Sequence, residues 1–427
     1  MIQSLESLLR SAFFADATRI MENLLNDRSL VPDDEPARAL ECIYPNRPIQ
    51  VQSLFGVLTL MRNYYFHQRA KTGRCPLDHQ LDLARGNTPG VARLICRASA
   101  TSVSYEGAAA DLLAYAGLEL NGRNFGRFVT DVTPGLLAAQ ASQLPSGGTS
   151  IDIMYVSEDG TGVPLRRAEL EGVKGKQPDG TARTREAKLG CVFTQTLTDT
   201  VGERLRDPGS TTYTGTFEGC RQSGILLRAE AFRRGYARAT TVVYLGDGAL
   251  WIWENARLNF PGAVMILDFY HGTEHLGVLA AALLGAGPAA KAQQSLWCRA
   301  MKATSSAPII IQAQSLLEAG RSTLPQERIE IIEREIAYFK TNLERTQYGA
   351  FLAKGYFIGS GVVEAGCKTV VGRRLKQSGM FWNKQGGEDL LGLRCMVLHP
   401  EFNKIWEARL PLLMAQRAKA PRWQAAA

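Results

Sequence analysis

Between residues 151 and 267 the chain alternates short apolar runs with helical patterns in an order that restricts its fold sharply. Runs of strand length fall at 151–156, 189–197 and 211–217. A helical pattern follows at 221–236, then a run at 240–245, a helical pattern at 249–258 and a last run at 263–267. The order βββαβαβ reads as an α/β sheet opened by a meander. In that order the first and fourth strands can lie side by side. Residues 272–345 are helical in pattern throughout, and in Gln326–Leu343 the residues Ile329, Ile332, Ile336 and Phe339 make an apolar face opposite a charged one. A later helix is expected from near Ser360 through Arg374.

Three carboxylates sit at the joints of this pattern. Asp159 lies in Asp159-Gly160-Thr161-Gly162, at the expected end of the first strand. Asp247 lies in Leu245-Gly246-Asp247-Gly248, at the end of the fourth. Glu364 follows Gly359-Ser360-Gly361-Val362-Val363 at the start of a helix. Neighbouring strands would present both aspartates at one spot, and a glutamate from a later helix would close it. Such oxygen donors suit two Mg²⁺ or Mn²⁺ ions about 3.5–4 Å apart, better than they suit zinc. Asp-Gly alone is a common turn pair, so only the combination of the three motifs carries weight. Asp268, in Asp268-Phe269-Tyr270-His271, is the reserve for Asp247 as a metal ligand. His271 would orient the site or touch the scissile strand; a buried, hydrogen-bonded His271 is the plainer alternative. His275 would share its helix face, but no third His or Cys lies nearby to complete a zinc site.

Charge points toward a polyanion. The net charge is +8, and residues 365–427 hold eleven Lys/Arg against four Asp/Glu, while residues 1–50 hold five against eight. Candidate phosphate contacts after Asp159 are Arg166, Arg167, Lys174, Lys176, Arg183, Arg185 and Lys188. After Glu364 they are Lys368, Arg373, Arg374 and Lys376, with Phe381 and Trp382 close behind. Trp382 reads equally as core or as a platform for an unpaired base. A solvated surface is the plain alternative for the cations.

The N-terminal region is less chemical. Residues 1–26 space Leu5, Leu8, Leu9, Phe13, Ile20, Met21, Leu24 and Leu25 as one amphipathic helix, packing on its own domain or on a second copy. Alternation over 49–66 predicts a hairpin. From 88 to 142 the pattern is helical: Ser104 would cap Tyr105–Ala116, Gly117 would end it, and Asn121–Val132 would follow. This pair allows a helix-turn-helix or a plain helical hairpin. Residues 142–150 have linker composition. Eight cysteines without a CxxC pair argue against a disulfide framework and for a reducing compartment. No secretory leader is legible, and the longest near-apolar stretch, Leu276 to Ala290, is too short to span a bilayer.

Several of these motifs, in this order, resemble the ISKra-type bacterial insertion-sequence transposases. The resemblance runs from Asp159-Gly160-Thr161-Gly162-Val163-Pro164 through Gly172–Lys176, Asp179-Gly180 and Thr184–Thr194. It continues through Tyr244-Leu245-Gly246-Asp247-Gly248-Ala249 and Asp268-Phe269-Tyr270-His271, then Gly359–Ala365 and Gly372–Trp382. It covers most of residues 50–398. What it implies is a DDE transposase with an RNase H-like core, with Asp159, Asp247 and Glu364 on the family's three acids. Asp268-Phe269-Tyr270-His271 falls on the [Cys/Asp]xxH motif shared with Mutator-like relatives. The expected reaction is metal-dependent hydrolysis of double-stranded DNA at the element's terminal inverted repeats, then strand transfer into target DNA by the freed 3′-hydroxyl. The chain departs from the family in two places. Cys pairs that relatives carry near Tyr64-Tyr65 are reduced here to His67, Cys75 and His79, so zinc is not the expected cofactor. Phe381 stands where a basic residue is expected before Trp382.

The expected architecture is α/β: a mixed-sheet RNase H-like core with an all-helical insertion, preceded by a mostly helical DNA-binding region. Its divisions are 1–87 (helix and hairpin), 88–145 (DNA-binding helices), 146–271 (the sheet-forming stretch of the core), 272–345 (insertion), 346–400 (the return to the core, with the Glu364 helix) and 401–427 (basic tail). A homodimer or larger synaptic complex in the bacterial cytoplasm, on the nucleoid and off the membrane, is the expected state. A domesticated DNA-binding relative and a nuclease of the same fold are the rival readings.

Overall fold

The computed structural model describes residues 2–142, 150–173, 175, 177–200, 202 and 204–409. Lys174, Lys176 and residues 143–149 of the expected linker lie outside them, as does 410–427 of the expected tail. Two compact units result: residues 1–142 with 385–397 and 401–427, and residues 143–384 with 398–400.

The first unit opens with the expected helix, α1 (Ile2–Asn26). Its C-terminal half packs on the unit: Met21 and Leu25 lie against buried Val51, Leu58 and Leu60, and Phe14 meets Phe55 edge-on at 6.0 Å. Leu5, Leu8, Leu9 and Phe13 in the other half are exposed. The hairpin β1 (Glu41–Gln52) and β2 (Val57–His67) starts earlier than its alternation suggested, and β3 (Thr72–Arg74) pairs only with Tyr65–His67. The rest of that edge of β2 is occupied by side chains. Glu22 accepts from the Thr59 N–H at 2.7 Å, Asn26 accepts from Met61 N–H at 2.8 Å and donates to the Thr59 carbonyl at 2.9 Å, and Asp33 accepts from Asn63 N–H at 2.6 Å. Polar side chains thus take the place of a fourth strand and blunt an open edge.

Helices α2 (Pro76–Gln80), α3 (Pro89–Thr101), α4 (Tyr105–Ala116) and α5 (Phe125–Ser142) follow. Ser104 caps α4 as expected, accepting from Gly107 N–H at 2.8 Å, and Gly117 ends it at φ 70°. The next helix does not stop at Val132; α5 carries on through Pro134 to Ser142. The helix Lys384–Val397 packs near it, Gly392 lying beside Thr133 and Leu137. Residues 402–409 are also helical, with Phe402, Ile405 and Trp406 buried, so the segment expected as tail begins as core.

The second unit is built on a mixed five-stranded sheet. Its strands are β4 (Ile151–Pro164), β5 (Thr184–Gln195), β8 (Thr212–Thr216), β9 (Ala239–Gly246) and β10 (Val264–Leu267); β6 (Leu197–Thr198) and β7 (Arg204–Leu205) form a separate small hairpin. Spatial order is β10-β9-β4-β5-β8. The first three strands run antiparallel, and β9 and β10 run parallel to β4 on its other side. First and fourth core strands are therefore neighbours, as their order allowed. Helices α6 (Cys220–Arg233) and α7 (Leu250–Asn259) cover one face over a core of Met154, Val156, Val192, Leu227, Tyr244, Trp253 and Phe260. On the other face Tyr155 stacks on Phe193 at 4.7 Å, with Phe357 at 5.3 Å.

One expectation about this sheet is corrected. The strand that was to end near residue 156 continues to Pro164, so Asp159-Gly160-Thr161-Gly162 is strand, paired with Leu189, Lys188, Ala187 and Glu186. The glycines explain it. A Cβ on Gly160 would lie 2.0 Å from the Glu186 carboxylate, and one on Gly162 2.8 Å from the Thr184 hydroxyl. Side chains from β5 lie across the space the two glycines leave open, so these residues serve close cross-strand packing instead of a turn.

The helical block is α8 (Phe269–Leu284), α9 (Pro288–Ala303), α10 (Ala307–Gly320) and α11 (Gln326–Thr341), with Ile329, Ile332, Ile336 and Phe339 buried as their spacing predicts. After α12 (Tyr348–Ala353), the expected helix from Ser360 forms as α13 (Gly361–Gly366), a π-helical turn over Cys367–Gly372, and α14 (Arg373–Leu375). No helix among the described residues is long and apolar enough to cross a membrane.

Candidate active site

Pairing between β4 and β9 ends at Ser157 opposite Leu245. Two residues further along are Asp159, still in β4, and Asp247, the first residue past the end of β9, so the sheet carries both acids to the same level. Their charges feel each other. Burial pushes the Asp159 carboxyl up, and the Asp247 and Glu186 charges push it further; hydrogen bonds from Cys367 and from Gly160 N–H, the latter at 2.6 Å, hold it back. Asp247 Oδ1 accepts from Ala249 N–H at 2.9 Å, which fixes the carboxylate over the turn into α7.

Cys367 belongs to the π turn that follows α13, so the segment carrying Glu364 is docked on Asp159. The approach is close. A Cβ on Gly366 would sit 2.5 Å from the Tyr213 ring and 3.0 Å from Leu189. Only glycine lets this turn lie against β5 and β8. Glu364 itself is exposed and accepts from the Ser360 hydroxyl at 3.1 Å. Burial and the Asp159 charge push the Cys367 thiol up, so it stays a protonated donor to Asp159. Among the described residues no three His, Cys, Asp or Glu side chains close into a metal-holding group. By chemistry the donors nevertheless fit hard divalent cations: all three are carboxylates, and Asp159 and Asp247 repel each other in a way such a cation relieves.

Asp268 has a different task. It is 1% exposed, Oδ1 accepts from His271 N–H at 2.6 Å as the cap of α8, and Oδ2 accepts from Ser360 N–H. Phe269 N–H adds a bond to the Ile358 carbonyl at 2.9 Å. Asp268 therefore ties the end of β10 to the residues that start the Glu364 helix. His271 and His275 share a face with rings 5.1 Å apart. His275 stacks on Tyr338 at 3.7 Å and contacts buried Glu335 at 2.6 Å, whereas His271 is 38% exposed and 3.6 Å from Glu274.

The basic set divides. Arg166, Arg167, Arg183, Lys368, Arg373 and Lys376 are exposed, Lys376 donating to the Thr161 hydroxyl. Arg185 is half-buried and donates to the Phe217 carbonyl at 3.2 Å. Lys188 and Arg374 are corrected as phosphate contacts because both are buried. Lys188 pairs with Glu186 at 2.6 Å and lies 3.8 Å from the Trp251 ring; Arg374 covers the Trp382 ring at 5.1 Å. Trp382 also donates to the Leu375 carbonyl at 3.1 Å, and its backbone pairs with Pro164 and Arg166, so it clamps the end of β4.

One residue was not anticipated. Glu158, 1% exposed, points to the face opposite Asp159 and accepts from Ser223, Tyr244 and, at 3.0 Å, Asn255. Burial pushes its carboxyl up. The available signal was slight: an acid two residues past the apolar run 153–156, next to Asp159 and of opposite strand parity.

No protein-family model matches this chain, and no curated protein matches it. Among solved structures it is similar to the Drosophila P element transposase strand transfer complex, with 10% identity over 78% of this chain and 87% of that one, at a TM-score of 0.25. A TM-score that low does not identify a common fold.

Proposed function

We propose that this protein is a DDE transposase of the bacterial insertion-sequence type. It binds terminal inverted repeats, cuts the DNA at the element's ends and joins the freed 3′-hydroxyl to target DNA. The observation that carries the reading is the register: Asp159 in β4 and Asp247 just past the end of the adjacent parallel β9 at one level, with the Glu364 segment docked on Asp159 through Cys367. The strand order supports it as well, since three antiparallel strands with two parallel ones beside the first is the arrangement of an RNase H-like core.

Asp159, Asp247 and Glu364 would hold two Mg²⁺ or Mn²⁺ ions, which when bound supply Lewis acidity for the attacking and leaving oxygens. The remaining roles fall to the chain itself. Gly160 N–H and Cys367 aim Asp159, Ala249 N–H aims Asp247, and Ser360 aims Glu364 while Asp268 anchors Ser360. Arg166, Arg167, Arg183, Lys368 and Arg373 offer exposed charge to the phosphate backbone. Two DNA ends must meet, so a dimer or larger synaptic assembly goes with this reading.

The test is cleavage of end DNA by purified protein, with and without Mg²⁺ or Mn²⁺, followed by a search for joined product. Expected are metal-dependent nicks at the repeat ends and a strand-transfer product. Cleavage without joining would make the protein a nuclease of the same build. Unchanged cleavage by Asp159→Ala or Asp247→Ala protein would overturn the site.

A further inference from the structure

One face of the N-terminal hairpin carries, further along β2 than the buried Leu58 and Leu60, a row of rings closed at both ends by cations. Tyr44 and Tyr64 face each other across β1 and β2, with ring centroids 6.2 Å apart. Phe66, two residues along β2, stacks near Tyr64 at 6.4 Å and 27°. Arg47 lies 5.5 Å from the Tyr44 centroid, and Lys71 lies 5.9 Å from that of Phe66. The sequence Arg47, Tyr44, Tyr64, Phe66, Lys71 thus runs across the sheet as one line. Gly73 lets the Tyr64 ring lie across β3, because a Cβ there would sit 2.0 Å from the Tyr64 hydroxyl.

The face is accessible and positively charged. Tyr44 is 41% exposed, Tyr64 and Phe66 are half-buried, and Arg47, Arg69 and Lys71 are exposed. Residues 42–74 contain five Lys/Arg and no Asp or Glu. Arg62 and Arg74 are occupied, with Asp78 and with Glu35 and Glu41 respectively. Arg47, Arg69 and Lys71 have no ion-pair partner among the described residues. A core needs no such set: the hairpin already buries Val51, Leu58, Leu60 and Tyr65.

We propose that this face binds single-stranded nucleic acid, two or three unpaired bases stacking on Tyr44, Tyr64 and Phe66 while Arg47, Lys71 and Arg69 neutralise the phosphates. Rings spread over an open sheet and flanked by cations meet the two requirements of such a ligand, a flat apolar surface for each base and positive charge along the backbone. Duplex DNA hides its base faces and would use only the cations. The inference deepens the transposase reading, in which strands are separated near the cut, yet it stands or falls by itself.

Fluorescence anisotropy of the full chain with a labelled oligo-dT of about twenty nucleotides, longer than a single binding site, tests it without divalent metal. Tyr44→Ala should weaken binding about 5- to 100-fold, the worth of one stacked base, and Tyr44→Trp should restore it. Arg47→Ala and Lys71→Ala should each flatten the dependence of log affinity on log salt by about 0.7. Circular dichroism verifies the fold of each variant, and Arg47→Ala, at an exposed position, keeps the question open to test should a ring variant unfold. Wild-type oligo affinity in a folded Tyr44→Ala/Arg47→Ala protein would overturn the proposal. So would a hairpin-dependent preference for duplex, or recovery of binding by leucine at position 44 as fully as by tryptophan, which would mark an apolar protein-docking face. Asp159→Ala protein should bind the oligo normally; if cleavage is absent in every protein while binding still depends on the rings, the catalytic reading fails and this one survives.

Discussion

Each unit of the protein is founded on a long antiparallel hairpin, β1–β2 over strands of 12 and 11 residues and β4–β5 over strands of 14 and 12. The hairpins are finished differently. β4–β5 is extended into a five-stranded sheet, Met154 to Glu158 are buried, and that burial reaches Asp159. β1–β2 stays narrow, closes one edge with side chains and leaves rings and cations on an open face. Burial is what separates their chemistry. In the covered sheet, desolvation and a second carboxylate make Asp159 a group in want of a counter-ion. On the open face, solvent screens the exposed charges of Arg47, Arg69 and Lys71, and recognition has to come from area and shape as much as from Coulomb attraction.

The largest effect that would sharpen this contrast is at the acids. Asp159→Asn or Asp247→Asn, each nearly isosteric, should lower DNA cleavage by at least about a thousandfold, because the charge stabilisation in question is worth several kcal/mol. The measurement is single-turnover cleavage, and neither change should alter oligo-dT binding at the hairpin. Next comes Gly366→Ala. Its methyl would press on Tyr213 and Leu189 and lift the Glu364 segment, so cleavage should fall roughly a hundredfold. Cleavage rates close to wild type would show that the docking of this turn is not what positions the glutamate.

Stability effects are smaller and distinguish the two sheets directly. Glu158→Ala strips the partner from Ser223, Tyr244 and Asn255 in the covered sheet and should cost about 3 kcal/mol in denaturant unfolding, whereas Glu158→Gln, which keeps the side chain's shape and one acceptor oxygen, should cost about 1. Equal losses would mean that the network does not depend on its hydrogen bonds. The smallest effect belongs to the open sheet. Hydrogen bonds from Arg74 hold the Glu41 carboxyl down to about 2, from an ordinary 4.5. A lowered folded pKa stabilises above the unfolded value and is lost as pH falls between about 4.5 and 2. Thermal melts should therefore place Arg74→Ala a few degrees below wild type near neutral pH and nearly level with it as the pH approaches about 2.

Much of the covered sheet was legible, because its strands are apolar runs of the right length and its helices carry the 3.6-residue period. Element order alone allowed the first and fourth strands to be neighbours, and they are. Asp159 misled only in its local setting. Asp-Gly reads as a turn, and nothing within β4 announces that Glu186 and Thr184, distant in sequence, lie across Gly160 and Gly162. Lys188 and Arg374 were misjudged for the same reason: a cation's burial is decided by partners such as Trp251 and Trp382, which only the fold brings near. The ring row on the first hairpin was hidden because Tyr44 lies outside the stretch whose alternation is regular, and only the cross-strand register brings it to Tyr64.

The π turn over Cys367–Gly372 has one more consequence. Each residue of an α-helix advances the next side chain by about 100°, and a π turn holds one residue more than an α turn. Glu364 lies before this insertion and the buried Arg374 and Leu375 after it. The turn therefore acts as a phase shifter between the acid and its anchor. Removing a single residue such as Thr369 would restore the α-helical count and swing Glu364 to a different azimuth while leaving every functional side chain in the sequence.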